Sequence, residues 1–178
     1  MWALVENDSV SKVYQNPKAI TIGDVNYPAN IFSVWSSSEL EAIGIYEVVV
    51  DNSNLKDKEY YINTQQSFAF ADNSVTASYG TATAKDLDDL KTIHKQSIDD
   101  TAYGLLQPND WLVVRNQEAG TAIPADWTTF RTGVRTTAAD MKSKIDAVTT
   151  VDALAALYVY DPDTGTRPLG EFPTPPTS

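Results

Sequence analysis

The side chains that most often do chemistry are scarce in this sequence. His94 is the only histidine, and the chain has no cysteine, which excludes disulfides, thiolate nucleophiles and cysteine-based zinc sites. No serine is flanked by the glycines of a nucleophile elbow, so a serine hydrolase has little support. Leu90 and Ile98 lie four residues on either side of His94, which indicates a histidine of the core rather than a catalytic or metal-binding one.

The clustered acidic residues also favour structural interpretations. Three aspartates between positions 86 and 89 begin a helical pattern, where carboxylates interact favourably with the helix dipole. Asp161, Asp163 and Gly165 match the start of a calcium loop, but the third acidic position and the glycine at position six are missing. The chain also has no glycine-rich phosphate loop. The sequence therefore predicts no enzyme, no metal and no cofactor.

The formal net charge of −11 bears on the class of partner. Proteins that hold DNA or RNA usually carry a basic stripe that releases counterions from the phosphates, and this sequence shows none. The first ten residues, MWALVENDSV, have neither a basic start nor a long apolar run. We therefore expect neither a nucleic-acid partner nor a membrane partner.

Residues 1–84 favour β-strands and form the first expected domain. Short runs of β-branched and aromatic residues are separated there by turn signals. Residues 67–79 alternate apolar and polar side chains on both sides of Asp72-Asn73. This alternation predicts a β-hairpin with one buried face.

One short helix is expected to interrupt these strands. Ser36 and Glu39 have the spacing of a capping box, in which each side chain accepts a hydrogen bond from the backbone of the other. Gly44 follows as a left-handed stop. The helix is therefore predicted over residues 37–43.

Residues 85–158 form the second expected domain, which is helical. Apolar residues recur there at every third or fourth position. They are Leu87, Leu90, His94, Ile98, Ala102 and Leu105 in one segment, and Trp127, Phe130, Val134, Ala138, Met141, Ile145 and Val148 in the next. The second set averages 3.5 residues per repeat, the period of helices packed side by side. We expect an α+β protein whose C-terminal half is an antiparallel helical hairpin or bundle, followed by a flexible Pro-rich tail over 159–178.

Trp127, Arg131 and Arg135 lie at intervals of four on the second helical segment. At that spacing the guanidinium of Arg131 can stack on the indole. Tryptophan and arginine concentrate binding energy at interfaces, so these residues are candidates for a partner contact. The alternative is an intramolecular pair with Glu118 or Asp140, and the sequence does not decide between the two.

The stretch from Gly104 to Leu157 resembles the C-terminal region of bacteriophage tail-assembly chaperone and tail-fibre-assembly proteins. That region typically has paired leucines, Asp-Trp, an arginine, a Pro-containing linker, an aromatic-Arg pair and a further arginine. The matching positions are Leu105, Leu106, Asp110, Trp111, Arg115, Pro124, Phe130, Arg131 and Arg135. Phe130 stands where tyrosine is common, and the aspartate that usually follows the last arginine is absent. The N-terminal half resembles the leaders of such proteins more loosely.

The resemblance implies a protein without catalysis that binds a phage tail or tail-fibre protein during virion assembly in the host cytoplasm. An alternative is a structural component that stays in the virion. A weaker one is a polysaccharide hydrolase that uses Glu39 and Glu41 as its carboxylate pair together with the N-terminal aromatics. Homo-oligomerisation stays open. The expected partner-binding residues are Trp111, Arg115, Trp127, Arg131 and Arg135. We expect Asp110 or Asn109 to cap a short helix whose Trp111 and Leu112 point inward.

Overall fold

The computed structural model describes residues 1–177 and divides into two compact units. The first unit is Met1–Thr83, and the second begins at Ala84. The first is rich in strands and the second in helices, so the predicted α+β class is confirmed.

The first unit is built on short β-strands. Their bounds are β1 (Trp2–Glu6), β2 (Ser9–Tyr14), β3 (Ile20–Ile22), β4 (Val25–Tyr27), β5 (Ile45–Asp51), β6 (Tyr61–Ile62), β7 (Gln66–Ala71), β8 (Ser74–Tyr79) and β9 (Thr83–Ala84). Five of them form a sheet in the order β2-β1-β5-β8-β7, in which only β5 and β8 are parallel neighbours. The edge strands β2 and β7 contact each other, so the sheet curls. The other pairs are β3 with β4 and β6 with β9.

Each face of the curled sheet carries its own cluster of buried side chains. Ala3 and Leu4 are neighbours on β1 but belong to different clusters, because successive side chains of a strand point to opposite faces. Ala3 packs with Val48, Val75 and Ala77. The cluster around Leu4 also contains Tyr14, Ile20, Ile31, Phe32, Leu40 and Ile45. Residues from β3 and from the segment 31–40 therefore cover one face of the sheet.

The predicted β-hairpin is confirmed. β7 and β8 pair antiparallel, and the pairing begins next to the turn with Ala71 opposite Ser74. Asp72 and Asn73 both have positive φ angles, of 50° and 55°. Aspartate and asparagine tolerate this left-handed conformation better than other residues with side chains, and the turn between these strands requires it.

The capping box is also confirmed, but the first unit has two short helices instead of one. The helix α2 (Ser37–Glu41) carries the reciprocal hydrogen bonds of Ser36 and Glu39. The Ser36 backbone N–H donates to the Glu39 carboxylate and holds the pKa of that group below its usual value. The additional helix, α1 (Ile31–Val34), has only four residues, too few for a periodic pattern to reveal it.

The second unit contains four helices within residues 84–177. They are α3 (Leu87–Leu106), α4 (Trp111–Ala119), α5 (Ala125–Ala147) and α6 (Val151–Ala156), and a 3₁₀ turn (Gln107–Asn109) connects α3 to α4. The Asp86 side chain caps α3 by accepting from the backbone N–H groups of Asp88 and Asp89. The aspartates near position 86 therefore begin a helix, as predicted.

The two long helices pack against each other through the periodic residues. The buried ones are Leu90, His94, Ile98 and Ala102 of α3, and Phe130, Val134, Ala138, Met141 and Ile145 of α5. Lys95 pairs with Asp146 at 2.7 Å and Lys142 with Asp99 at 2.6 Å. The start of α3 thus lies beside the end of α5, so these two helices run antiparallel.

Residues 157–177 follow α6 without a further helix or strand. Leu169 is nevertheless only 2% exposed, and its backbone N–H donates to the Leu157 carbonyl at 2.9 Å. Lys144 of α5 donates to the carbonyls of Pro168 and Leu169. The flexibility predicted for 159–178 stays a prediction, and Ser178 lies outside the described residues.

Two glycines of the first unit allow a test of backbone strain. Gly44 and Gly23 both have positive φ, but a Cβ on Gly44 would lie 2.9 Å from the Val5 carbonyl oxygen, whereas one on Gly23 would meet nothing within 4 Å. We expect Gly23→Ala to lower the free energy of unfolding by about 1 kcal/mol, and Gly44→Ala by about 3 kcal/mol because the backbone must also shift. Urea denaturation followed by circular dichroism measures both. Equal losses would contradict the close approach of Gly44 to β1.

Candidate protein-binding surface

The helix α4 presents apolar side chains to solvent. Trp111 is 56% exposed and Val114 is 53% exposed, whereas Leu112 is buried. The inward orientation predicted for Trp111 is therefore wrong, and that for Leu112 is confirmed. Positions 111, 114 and 115 are three and four residues apart, so they share one face of the helix. The result is a surface formed by Trp111, Val114 and Arg115, which we call the α4 face.

Arg115 is held on the α4 face by the indole of Trp111. Its guanidinium carbon lies 4.8 Å from the centroid of the Trp111 ring, within the range of a cation–π interaction. The Arg115 Nε atom is buried and has no hydrogen-bond partner among the described residues. The two side chains therefore form a flat, amphipathic pair, and stacking fixes the position of the cation.

Arg131 lies behind the α4 face and is only 6% exposed. From α5, its Nη1 donates to the Leu106 carbonyl at 3.1 Å and to Asn109 Oδ1, and its Nη2 donates to Asp110 Oδ1 at 2.7 Å. Asn109 is itself buried and donates to the Leu105 carbonyl. One guanidinium thus joins α5 to the end of α3 and to the start of α4. We call Arg131, Asn109 and Asp110 the arginine clamp.

The clamp changes the interpretation of the arginines of α5. The bonds of Arg131 are intramolecular, and its acidic partner is Asp110 instead of Glu118 or Asp140. Its guanidinium is bonded to Asn109 and Asp110. The aromatic partner of Trp127 is Phe130, whose ring it meets edge-on with centroids 5.8 Å apart. Arg135 is exposed and donates to the Arg131 carbonyl.

The five residues predicted to bind a partner therefore occupy different places. Trp111 and Arg115 lie together on the α4 face, Trp127 is half-buried on α5, and Arg135 is exposed there. Arg131 is within the clamp.

Of the two residues predicted to cap α4, Asp110 occupies the N-cap position, but its side chain forms no capping hydrogen bond and accepts from Arg131 instead. Asn109 also accepts from Arg131 and does not cap the helix. A cap and a buried hydrogen-bonding group use the same residue types beside a helix start, so the sequence could not distinguish them.

The comparisons with models of protein families, with curated proteins and with solved structures find no match for this chain. Among residues 1–177, no three histidine, aspartate or glutamate side chains are grouped so that they could hold a metal ion. In that part of the chain no helix combines the length and apolar character needed to cross a membrane. The geometry of the α4 face is that of a contact surface, with an aromatic ring, an aliphatic side chain and a planar cation.

Replacement of Arg131 tests the clamp. Arg131→Met would leave the Leu106 carbonyl and the Asn109 amide oxygen buried without their donor, so we expect the free energy of unfolding to fall by about 3 kcal/mol. Arg135→Met is the matched control, because Arg135 is exposed on the same helix, and its expected change is within about 0.5 kcal/mol. Urea titration monitored at 222 nm gives both values. Similar losses for the two variants would show that the clamp does not stabilise the unit.

Proposed function

We propose that this chain is a non-catalytic protein that binds a bacteriophage tail or tail-fibre protein during virion assembly, as a chaperone or adaptor. The observation that carries the proposal is the α4 face, where the exposed indole of Trp111 stacks with the half-buried guanidinium of Arg115. Tryptophan and arginine are the residues whose truncation most often costs binding energy at protein interfaces. The surface therefore has the composition of an interface centre.

The residues of the phage-like pattern divide into two physical roles. Asp110 and Arg131 are bonded to each other in the clamp, and Leu106 contributes the carbonyl that accepts from Arg131. Trp111 and Arg115 follow on α4, where Trp111 is exposed and Arg115 is half-buried against its ring. A pattern that combines a clamp with the surface next to it is what a preorganised binding element requires, because a helix held in place loses little further entropy on binding. This division supports the resemblance as a source of the function.

The body that presents α4 is, in this proposal, a helical hairpin of α3 and α5 followed by the Pro-rich tail. The hairpin is the rigid support for α4, because buried residues of both its helices pack against each other. The α4 helix contributes one buried residue, Leu112, and leaves its other face for the partner. In the proposal this binding takes place in the host cytoplasm, before or while the tail is assembled.

Substitution of Trp111 tests this function. We expect Trp111→Ala to weaken binding to the tail or tail-fibre protein of the same phage at least tenfold, because truncating a central interface tryptophan costs about 2 kcal/mol or more. Ile93→Ala is the control, since Ile93 is 63% exposed on α3 and lies outside the phage-like stretch. The measurement is co-purification after co-expression, followed by titration of the purified pair. Unchanged affinity of the Trp111 variant would refute the role of the α4 face.

The same co-expression separates an assembly chaperone from a structural component. A chaperone raises the yield of soluble, trimeric fibre and is absent from purified virions, whereas a structural component is detected in virions by mass spectrometry. If no tail or tail-fibre protein of that phage co-purifies with the chain, the proposed function is wrong. Thermal unfolding of each variant confirms that binding is compared between folded proteins.

A further inference from the structure

The C-terminal residues of the chain lie against the long helices of the second unit. We call residues 167–177 the strap. Its first part is firmly attached, because the Leu169 side chain is buried and the Leu169 N–H donates to the Leu157 carbonyl. The ammonium of Lys144 also donates to the carbonyls of Pro168 and Leu169. The attachment at Leu169 therefore combines burial with three hydrogen bonds.

Polar contacts join the two ends of the attached part to each other and to the residues that follow α6. Arg167 pairs with Glu171 at 2.7 Å, and its guanidinium lies over the rings of Tyr158 and Tyr160. The Tyr160 hydroxyl donates to the Glu171 carboxylate at 2.7 Å, and this hydrogen bond raises the pKa of Tyr160. The attached part of the strap therefore ends at about Glu171.

The distal strap, residues 172–177, is held differently. None of its residues forms a hydrogen bond to another residue within 1–177. It reads Phe-Pro-Thr-Pro-Pro-Thr, and the three prolines fix their own φ angles and bias the residues before them to extended conformations. The distal strap is thus a short extended segment that depends on apolar contact alone.

The helix α5 has a glycine, Gly133, beside Pro173 of the distal strap. A Cβ on Gly133 would lie 3.4 Å from Pro173 Cγ. At that distance a Cβ would make ordinary van der Waals contact with the ring, so Pro173 packs directly on the backbone of α5. A side chain larger than alanine at position 133 would take the space of Pro173.

The distal strap fills the groove between α3 and α5 only in part. A cavity of about 440 Å³ remains beside it. Ile98 and Leu105 of α3 and Met141 of α5 line the cavity on the helical side, and Phe172, Pro173 and Pro175 line it on the side of the strap. An apolar groove with this much unfilled volume can accommodate a bulkier or better-fitting segment than the one it holds.

We propose that the groove between α3 and α5 is a docking site for an extended, proline-containing segment of a partner protein with an aromatic residue, and that the distal strap occupies it as a tethered competitor. Such segments lose little conformational entropy on binding because proline restricts them beforehand. A tether gives the strap an effective concentration of about 1 mM, so a partner segment binds only if its affinity overcomes that competition. This site is separate from the α4 face and does not rest on the proposed function.

The test uses full-length protein and a fluorescent peptide with the sequence of residues 171–177. The released variant carries Phe172→Ser, Pro173→Ser and Pro175→Ser, which empty the groove but keep Leu169, Lys144 and Glu171. If the peptide binds the open groove with a dissociation constant of about 0.1 mM, a tethered competitor at about 1 mM weakens binding roughly tenfold. We therefore expect fluorescence anisotropy to give about tenfold tighter binding to the released variant than to the native chain.

A second substitution tests whether the peptide binds in the groove. Added to the released variant, Gly133→Leu should abolish binding, because its side chain takes the space of Pro173. Gly104→Leu is the matched control, since Gly104 is also helical and a Cβ there would meet nothing within 4 Å. Circular dichroism establishes that all variants remain helical. Equal affinity for the native and released proteins, no saturable binding to the released variant, or insensitivity to Gly133→Leu would each overturn the proposal.

Discussion

Arg131 brings a guanidinium to a position that is 6% exposed, where an unpaired charge would cost several kcal/mol. The charge is tolerated because two carbonyl oxygens and one carboxylate converge on it from the end of α3, the 3₁₀ turn and the start of α4. The carboxylate of Asp110 is about half exposed, so water also reaches the pair. Because α4 buries little of its own surface, its orientation depends on this one interaction more than on packing.

The seam between α3 and α5 was predictable because its apolar residues recur in the sequence at a helical period. A spacing of 3.5 residues requires a helical neighbour, and the residues named by that spacing include every buried apolar residue of α5. The turn at Asp72-Asn73 was predictable for a similar reason, since few residues with side chains accept positive φ. In both cases the signal comes from residues near each other in the sequence, and no distant contact competes with it.

The candidate site was predictable in its residue types but not in their arrangement. The interval of four from Trp127 to Arg131 allows stacking, yet in the structure the stacked pair is Trp111 with Arg115, at the same interval on another helix. A spacing of four shows that two side chains can meet, and the choice between pairs depends on competing partners elsewhere in the chain. For Arg131 those partners are three groups more than 20 residues away, near the junction of α3 and α4.

The ion pairs between the long helices contribute less to stability than the clamp does. Lys95 with Asp146 and Lys142 with Asp99 lie at the surface, where each pair contributes about 1 kcal/mol or less and salt screens it. The stability of the α3–α5 pair must therefore come from its apolar seam, which salt hardly affects. The position of α4 rests instead on hydrogen bonds to a buried charge, with Leu112 as the only buried residue of that helix. Local opening of α4 should accordingly cost less free energy than separation of α3 from α5, and the clamp is the interaction that opposes this opening.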